Sequence, residues 1–287
     1  MLNYIISLLP VFGWGFMPII ANLKKSKPEE QLLGTSISAL FFSILLYIIV
    51  QPHITFFSFI ISFLSGVFWS LGQLFQFKAI SVSSVSKTMP LSNGTQLIGT
   101  TLFAVFVFHE WNTLKATLIG TIAIGIIIAG IYITNYVEKS YKVQHSLSLH
   151  TFSFVITSSF FLTLYVITNQ LFSITGYSII FPQAIGMFTG AILINYLNKQ
   201  NKASRSSVSF NLLTGLSWSI GNLGMFLATA SLGIGTSFSI SQACVIVSTI
   251  GGIIIFKEGK SRKEWAVILT GIIVIMLGVF LLGVLKQ

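Results

Sequence analysis

Long apolar stretches alternate with short polar segments along the whole chain. A helix needs roughly 20 mainly apolar residues to cross a bilayer. Ten stretches meet this requirement: Leu2–Asn22, Gln31–Val50, Phe56–Ala79, Lys87–Phe108, Leu114–Tyr136, His150–Phe172, Tyr177–Leu197, Val208–Ala230, Gly235–Phe256 and Trp265–Leu285. The pattern predicts an all-α polytopic membrane protein with ten transmembrane helices, numbered here as spans 1 to 10.

Two observations support helices in lipid rather than a β-barrel or a soluble fold. Runs such as Ile122–Ile133 lack the apolar–polar alternation of barrel strands. Only 8% of the residues are charged, against about 25% in soluble domains. No Lys or Arg precedes Lys24, so the basic start of a signal peptide is missing and residues 2–22 are expected to stay as a first helix.

The net charge of +10 comes from basic residues confined almost entirely to alternate loops. Fourteen lie in or directly beside loops 1–2, 3–4, 5–6, 7–8 and 9–10, with Lys78 and Lys87 flanking turn 3–4: Lys24, Lys25, Lys27, Lys78, Lys87, Lys139, Lys142, Lys199, Lys202, Arg205, Lys257, Lys260, Arg262 and Lys263. Only Lys115 and Lys286 lie on the other side. The positive-inside rule places the fourteen in the cytoplasm and, with ten spans, both termini outside. This distribution argues for a membrane partner and against a nucleic acid.

An internal repeat relates the two halves of the chain. Residues 64–79 align without gaps on residues 213–228, with eight of sixteen positions identical, including Trp69 with Trp218. The alignment predicts a five-helix repeat over residues 1–136, a cytoplasmic linker over 137–149 and a second repeat over 150–287. Because five is odd, the second repeat is inverted in the membrane. Inverted repeats are typical of secondary transporters, which bind substrate near the bilayer midplane.

No ionisable residue is predicted near the middle of a span. The six glutamates fall in loops or at span ends: Glu29, Glu30, Glu110, Glu138, Glu258 and Glu264. Since buried carboxylates usually mark ion and proton pathways, we expect a neutral substrate. Glu110 and Glu258, each in a Phe-x-Glu sequence that ends a span, are the candidates for proton coupling. The sequence contains no metal-binding, cofactor-binding or catalytic motif, so neither enzyme activity nor a cofactor is expected.

The polar side chains inside the spans are amides and hydroxyls, repeatedly close to tryptophan. Amides both donate and accept hydrogen bonds, as sugar hydroxyls do, and an indole face packs on the apolar face of a pyranose. The candidate substrate-binding residues are Trp14, Trp69, Gln73, Gln76, Ser92, Asn93, Gln96, Gln183, Trp218, Asn222, Ser241 and Gln242. The alternative for each amide is a hydrogen bond between helices, worth about 0.6 kcal/mol, and for each tryptophan it is packing.

Five motifs resemble one known family over the entire chain. They are Leu9-Pro10-x-x-Gly13-Trp14-Gly15, Gly66-x-x-Trp69-Ser70-x-Gly72-Gln73, Thr88-Met89-Pro90-Leu91-Ser92-x-x-x-Gln96-Leu97-x-Gly99-Thr100, Pro182-Gln183-Ala184-x-Gly186-Met187 and Ser237-Phe238-x-x-Ser241-Gln242. Together they resemble the bacterial glucose/ribose porter family of the drug/metabolite transporter superfamily.

The resemblance implies a five-plus-five helix fold in the bacterial plasma membrane and uptake of glucose or ribose, driven by protons. Its candidates for substrate binding are Gln73, Ser92, Gln96, Gln183, Asn222 and Gln242. The superfamily tends to keep both termini in the cytoplasm, whereas the charge count places them outside. The alternatives are an exporter of metabolites or drugs from the same superfamily, and a membrane-embedded regulator that uses its amides only for helix association.

Overall fold

The described part of the chain forms ten long helices and contains no β-strand. The structure, a computed structural model, describes residues 5–109, 111–136, 148–198, 203–232, 237 and 240–285. The helices are α1 (Leu9–Leu23), α2 (Pro28–Val50), α3 (Phe56–Val82), α4 (Val85–Val107), α5 (Leu114–Thr134), α6 (Leu149–Leu171), α7 (Ile180–Leu197), α8 (Leu212–Leu232), α9 (Cys244–Ile255) and α10 (Arg262–Leu285). A 3₁₀ turn, Gly176–Ile179, precedes α7, and a short helix, Arg205–Phe210, precedes α8.

Six of these helices are long and apolar enough to cross a membrane, counting α7 together with its 3₁₀ turn. They are α2, α3, α5, α6, α7 and α10, while α1 and α9 are apolar but shorter. Large apolar side chains cover the outside, among them Phe56 and Tyr132, which are 83% and 84% exposed. Such an exterior is stable in lipid and not in water. The chain is therefore an all-helical, multi-pass membrane protein.

Three of the predicted spans, 1, 8 and 9, are interrupted by a turn in the structure. In span 1, a turn at Ser7 and Leu8 ends a first helical segment, and α1 begins at Leu9 with Pro10 in its first turn. Proline suits this position, since its missing N–H is one that a helix start leaves unpaired anyway. In span 9, α9 begins only at Cys244 because the Ala243 N–H bonds to the Ile240 carbonyl in a tight turn.

In span 8, Asn211 separates the short helix from α8. Its Nδ2 donates to the Ser207 carbonyl at 2.8 Å, and its Oδ1 accepts from Thr214 Oγ1 at 3.0 Å. An asparagine side chain that bonds to the nearby backbone offers the chain an alternative to a continuous helix.

The helices pack in pairs that recur five helices further along the chain. Helix α3 packs on α6 and α7, as α8 packs on α1 and α2; α4 packs on α6, as α9 packs on α1. Three contacts join helices five apart, namely α5 with α10, α2 with α7 and α4 with α9. The contacts match in detail: a Cβ at Gly66 would lie 2.0 Å from the Gln183 carbonyl oxygen, and one at Gly215 would lie 2.3 Å from that of Thr35.

The main hydrophobic core combines residues of α1, α2, α3, α4, α6, α7 and α8. It includes Met17, Trp69, Phe77, Met89 and Trp218, and the partly buried Trp14 packs against it. Most of the predicted polar residues lie on the helices that surround this core.

Candidate functional site

Two tryptophans from different halves meet at the centre of the core. Trp69 of α3 and Trp218 of α8 are 2% and 8% exposed. Their ring centroids are 5.2 Å apart with an interplanar angle of 60°, an edge-to-face contact. Such a contact contributes about 0.5–1.5 kcal/mol beyond the buried area. The internal alignment placed these residues at equivalent positions, and the structure brings them into contact.

A chain of amides and hydroxyls leads away from this pair along α3. Trp69, Gln73 and Gln76 lie on one helical face, as the i, i+4, i+7 spacing predicts. Gln73 Nε2 donates to Gln76 Oε1 at 2.8 Å, and Gln76 Nε2 donates to Ser92 Oγ of α4 at 2.8 Å. All three members are buried. Because unpaired polar groups inside a membrane are costly, this mutual pairing fixes the amides in place.

The chain of hydrogen bonds continues from α4 to α6. Ser159 Oγ donates to the Ser92 carbonyl at 3.3 Å and lies 2.6 Å from Thr95 Oγ1. The polar network therefore connects three helices beside the tryptophan pair. Ser159 was not among the predicted residues.

Trp14 of α1 is also part of the site, and it contacts α8. Its indole lies on Gly221, where a Cβ would be 2.6 Å from Trp14 Cδ1. The two backbones are close here, and Ser217 Oγ donates to the Gly13 carbonyl at 2.7 Å. Trp14 Nε1 is buried and has no acceptor among the described residues. Asn222, next to Gly221, is 8% exposed.

The remaining predicted amides lie on α4, α7 and span 9. Asn93 Nδ2 lies 3.5 Å from Cys244 Sγ of α9, so it joins the two halves. Gln96 and Gln242 are partly exposed, and Ser241 is fully buried.

Gln183 packs α7 on α3. Its Nε2 donates to Ser65 Oγ at 2.9 Å, and Ser65 Oγ donates to the Tyr165 carbonyl at 2.7 Å. Ser65 lies one helical turn from Trp69, so Gln183 is near the tryptophan pair but its amide is engaged between helices in this conformation.

Of the two predicted coupling residues, the structure describes Glu258 and not Glu110. Glu110 lies outside the described residues. Glu258 accepts hydrogen bonds from the backbone N–H of Ser86, at 3.4 Å, and from the Ser86 hydroxyl. Ser86 is in the first turn of α4, where the helix dipole favours a carboxylate. Glu258 therefore joins the end of α9 to the start of α4, beside Lys87, which is 7% exposed.

Serines that bond to backbone carbonyls of neighbouring helices were missed by the sequence analysis. Ser70 Oγ donates to the Met187 carbonyl at 2.7 Å, and Ser158 Oγ to the Gly72 carbonyl at 2.8 Å. The available signal was a serine one or two residues from a glycine, as in Ser70-Leu71-Gly72, because small residues let membrane helices approach closely.

The geometry describes an uncharged, hydrogen-bonding centre with indole walls. Within the described ranges, no group of His, Cys or Glu side chains could hold a metal ion. Two crevices lie elsewhere, one near Tyr47 and Phe181 and one beside Arg205. Neither crevice is lined by Trp69 or Trp218.

A polytopic helical fold with such a centre is typical of a membrane transporter for a polar, uncharged solute. Residues 5–285 match the family described as "Sugar transport protein". A Listeria monocytogenes protein that is named as a sugar uptake protein is 64% identical to this chain over 283 residues, which cover 99% of both chains. The glucose uptake protein GlcU of Bacillus subtilis is 38% identical over 288 residues, again covering 99% of both. The chain therefore belongs to the bacterial sugar uptake porter family.

One solved structure supports the fold. It covers 96% of this chain and 97% of its own, with a TM-score of 0.59 at 12% sequence identity. At this identity, the likeness concerns the arrangement of the helices and says nothing about substrate.

Proposed function

We propose that this protein is a secondary transporter that imports a neutral monosaccharide, glucose or ribose, across the bacterial plasma membrane. The contact between Trp69 and Trp218, together with the amide chain from Gln73 to Ser92, carries this proposal. Indole faces suit the apolar face of a sugar ring, and amides pair with its hydroxyls in either direction. Relatives with sugar-uptake names, related over almost their full length, support the same substrate class.

Transport proceeds by alternating access between two inverted five-helix repeats. The helix contacts support this architecture, because the exchange of each helix with the one five positions away leaves the main packing pattern unchanged. Contact between two equivalent residues, Trp69 and Trp218, is expected at a two-fold axis that relates the repeats. Transporters built from inverted repeats bind substrate at this interface, near the midplane.

The proposal of a neutral substrate rests on where the carboxylates lie. The described glutamates occupy helix ends or loops: Glu29, Glu30, Glu258 and Glu264. The polar chain that begins one helical turn from Trp69, formed by Gln73, Gln76 and Ser92, is uncharged. A carrier of organic cations would need a carboxylate at its centre, so this arrangement favours sugar uptake over the export of cationic drugs.

The orientation and the coupling ion are also part of the proposal. The basic loops face the cytoplasm, and protons drive uptake through Glu258 and Glu110. Contacts between the halves lie at the basic end: the Glu29 carbonyl accepts a hydrogen bond from Asn195 Nδ2 at 3.1 Å. The Ser204 N–H donates to Glu30 at 2.8 Å.

Counterflow in proteoliposomes tests the proposal. Liposomes preloaded with glucose, ribose or other neutral sugars should take up the matching labelled sugar, and Trp69→Ala should raise the half-saturating concentration about tenfold, through loss of one aromatic contact. Trp265→Ala is the matched control, since Trp265 lies in the first turn of α10, away from the pair. Absence of exchange for every monosaccharide would overturn the proposal, and so would an equal effect of both substitutions.

A further inference from the structure

An open groove lies beside the break in span 8, at the basic end of the helices. Its volume is about 330 Å³. Its lining is mostly apolar and comes from α2, the short helix and the start of α8: Leu33, Ile37, Ala203, Arg205, Val208, Ser209 and Leu212. We call it the α2 groove. The site is distinct from the tryptophan pair and does not rest on the proposed function.

The α2 groove is built into the fold by two residues. Asn211 ends the short helix and anchors it to loop 1–2 through a hydrogen bond from Nδ2 to Ser26 Oγ at 3.2 Å. Gly34 lets α2 approach the short helix, since a Cβ there would lie 2.5 Å from the Val208 carbonyl oxygen. The short helix is thus held against α2 on one side, and the groove remains on the other.

One charged side chain lines this apolar groove. Arg205 is exposed, and within the described ranges no carboxylate pairs with it. The carboxylate of Glu30 bonds to Ser204, the residue before Arg205, and is buried. Both of its oxygens accept backbone N–H bonds, one from Ser204 at 2.8 Å and one from Lys27 at 3.0 Å. Glu30 is therefore already engaged, and the Arg205 guanidinium is available to an anion.

A second cation lies on the neighbouring face of the short helix. Lys24 Nζ donates to the Ser206 carbonyl at 3.1 Å and lies 5.9 Å from the centroid of the Phe210 ring. Arg205 is therefore the one cation in the groove's lining, which is otherwise mostly apolar, and Lys24 adds a second positive charge on the adjacent face of the short helix. This combination matches a phospholipid with an anionic headgroup, because guanidinium binds phosphate in a bidentate manner and basic pockets at membrane interfaces hold anionic lipids.

We propose that the α2 groove binds one anionic phospholipid, with the phosphate at Arg205 and the upper acyl chain along Ile37 and Val208. The bound lipid joins α2 to span 8 and so links the first half of the protein to the second. Its binding stabilises the helix pair that Gly34 and Asn211 bring together.

Native mass spectrometry of the full chain in detergent, titrated with phosphatidylglycerol or phosphatidylcholine, tests the proposal. The unmodified protein should retain phosphatidylglycerol in preference to phosphatidylcholine. Arg205→Gln should weaken phosphatidylglycerol binding about fivefold, as expected for one basic residue near an anionic headgroup. Arg205→Lys keeps the charge but not the bidentate geometry, so it should bind phosphatidylglycerol more tightly than Arg205→Gln and less tightly than the unmodified protein. Arg262→Gln is the matched control, because Arg262 is also exposed at the start of a helix at the basic end.

Two further measurements separate a lipid from other occupants. Ile37→Trp should fill the groove and reduce phosphatidylglycerol binding while Arg205 stays in place. The headgroup alone, glycerophosphoglycerol, should not compete at concentrations at which the lipid binds. Equal loss in Arg205→Gln and Arg262→Gln, equal binding of both lipids, or competition by the headgroup alone would each overturn the proposal.

Discussion

Gln76 holds the centre of the polar chain because it both accepts and donates a hydrogen bond. It accepts from Gln73 and donates to Ser92, each at 2.8 Å. Gln76→Leu removes both bonds, and we expect a loss of about 1 kcal/mol in the free energy of unfolding, at roughly 0.6 kcal/mol for each bond. If the chain positions substrate-binding groups, the half-saturating sugar concentration should also rise about tenfold. Thermal unfolding in detergent and counterflow measure the two effects.

A matched control is Gln31→Leu. Gln31 is equally buried, and its Nε2 donates to the carbonyls of Ala21 and Ser26 at 2.9 and 3.1 Å, far along the chain from the tryptophan pair. This variant should lose similar stability and keep its sugar dependence. Equal kinetics in the two variants would show that the amide chain serves helix association alone.

Sequence reasoning found the residues of the centre by periodicity but did not find their partners. The spacing of Trp69, Gln73 and Gln76 fixes a common helical face, whichever helices lie nearby. By contrast, the bond from Gln183 to Ser65 and the approach of Trp14 to Gly221 depend on how helices cross. These contacts arise only from tertiary packing, which a single sequence does not reveal.

At the scale of helices, glycines determine how closely α3 and α7 pack. A Cβ at Gly66 would lie 2.0 Å from the Gln183 carbonyl oxygen, and this obstacle is backbone. Gly66→Ala should therefore separate the helices and cost about 1–3 kcal/mol, the usual range for overpacking. Gly125→Ala, in α5, should not lower the unfolding temperature, because a Cβ there meets nothing within 4 Å and alanine favours a helix over glycine. Thermal unfolding of both variants checks this, and equal unfolding temperatures would contradict the tight α3–α7 contact.

Most helix positions followed from hydropathy, and the exceptions have local causes. The apolar stretch from Gln31 to Val50 corresponds closely to α2. Hydropathy could not locate the break at Asn211, because that break depends on side-chain bonds to Ser207 and Thr214. A window of about 20 residues averages over one polar position, so a single helix-breaking side chain leaves its mean hydropathy high.

At the scale of the whole molecule, Glu258 links the two halves at the basic end. If it also carries the coupled proton, Glu258→Gln should retain sugar counterflow and lose the extra accumulation that an inward proton gradient produces. The amide cannot release a proton, but its carbonyl oxygen still accepts one of the two hydrogen bonds that Ser86 donates to Glu258. Glu29→Gln is the control, since Glu29 lies at the same end and pairs with Lys78 at 3.6 Å. Gradient-driven accumulation that survives in Glu258→Gln would exclude Glu258 as the coupling group.

The sequence predicts the orientation of the whole bundle from fourteen basic residues in or beside alternate loops against two elsewhere, and labelling can test this prediction. Gly259, in loop 9–10, and Thr175, in loop 6–7, are both exposed. Each is replaced by a single cysteine in a chain whose buried Cys244 is replaced by Ala. A membrane-impermeant maleimide should label the cysteine at position 175 in intact cells and the one at position 259 only after permeabilisation. The opposite result would place the basic loops outside and, with an even number of spans, both termini in the cytoplasm. The proton gradient would then have to act on Glu258 from the outer side, so this experiment also decides from which compartment the coupling proton enters.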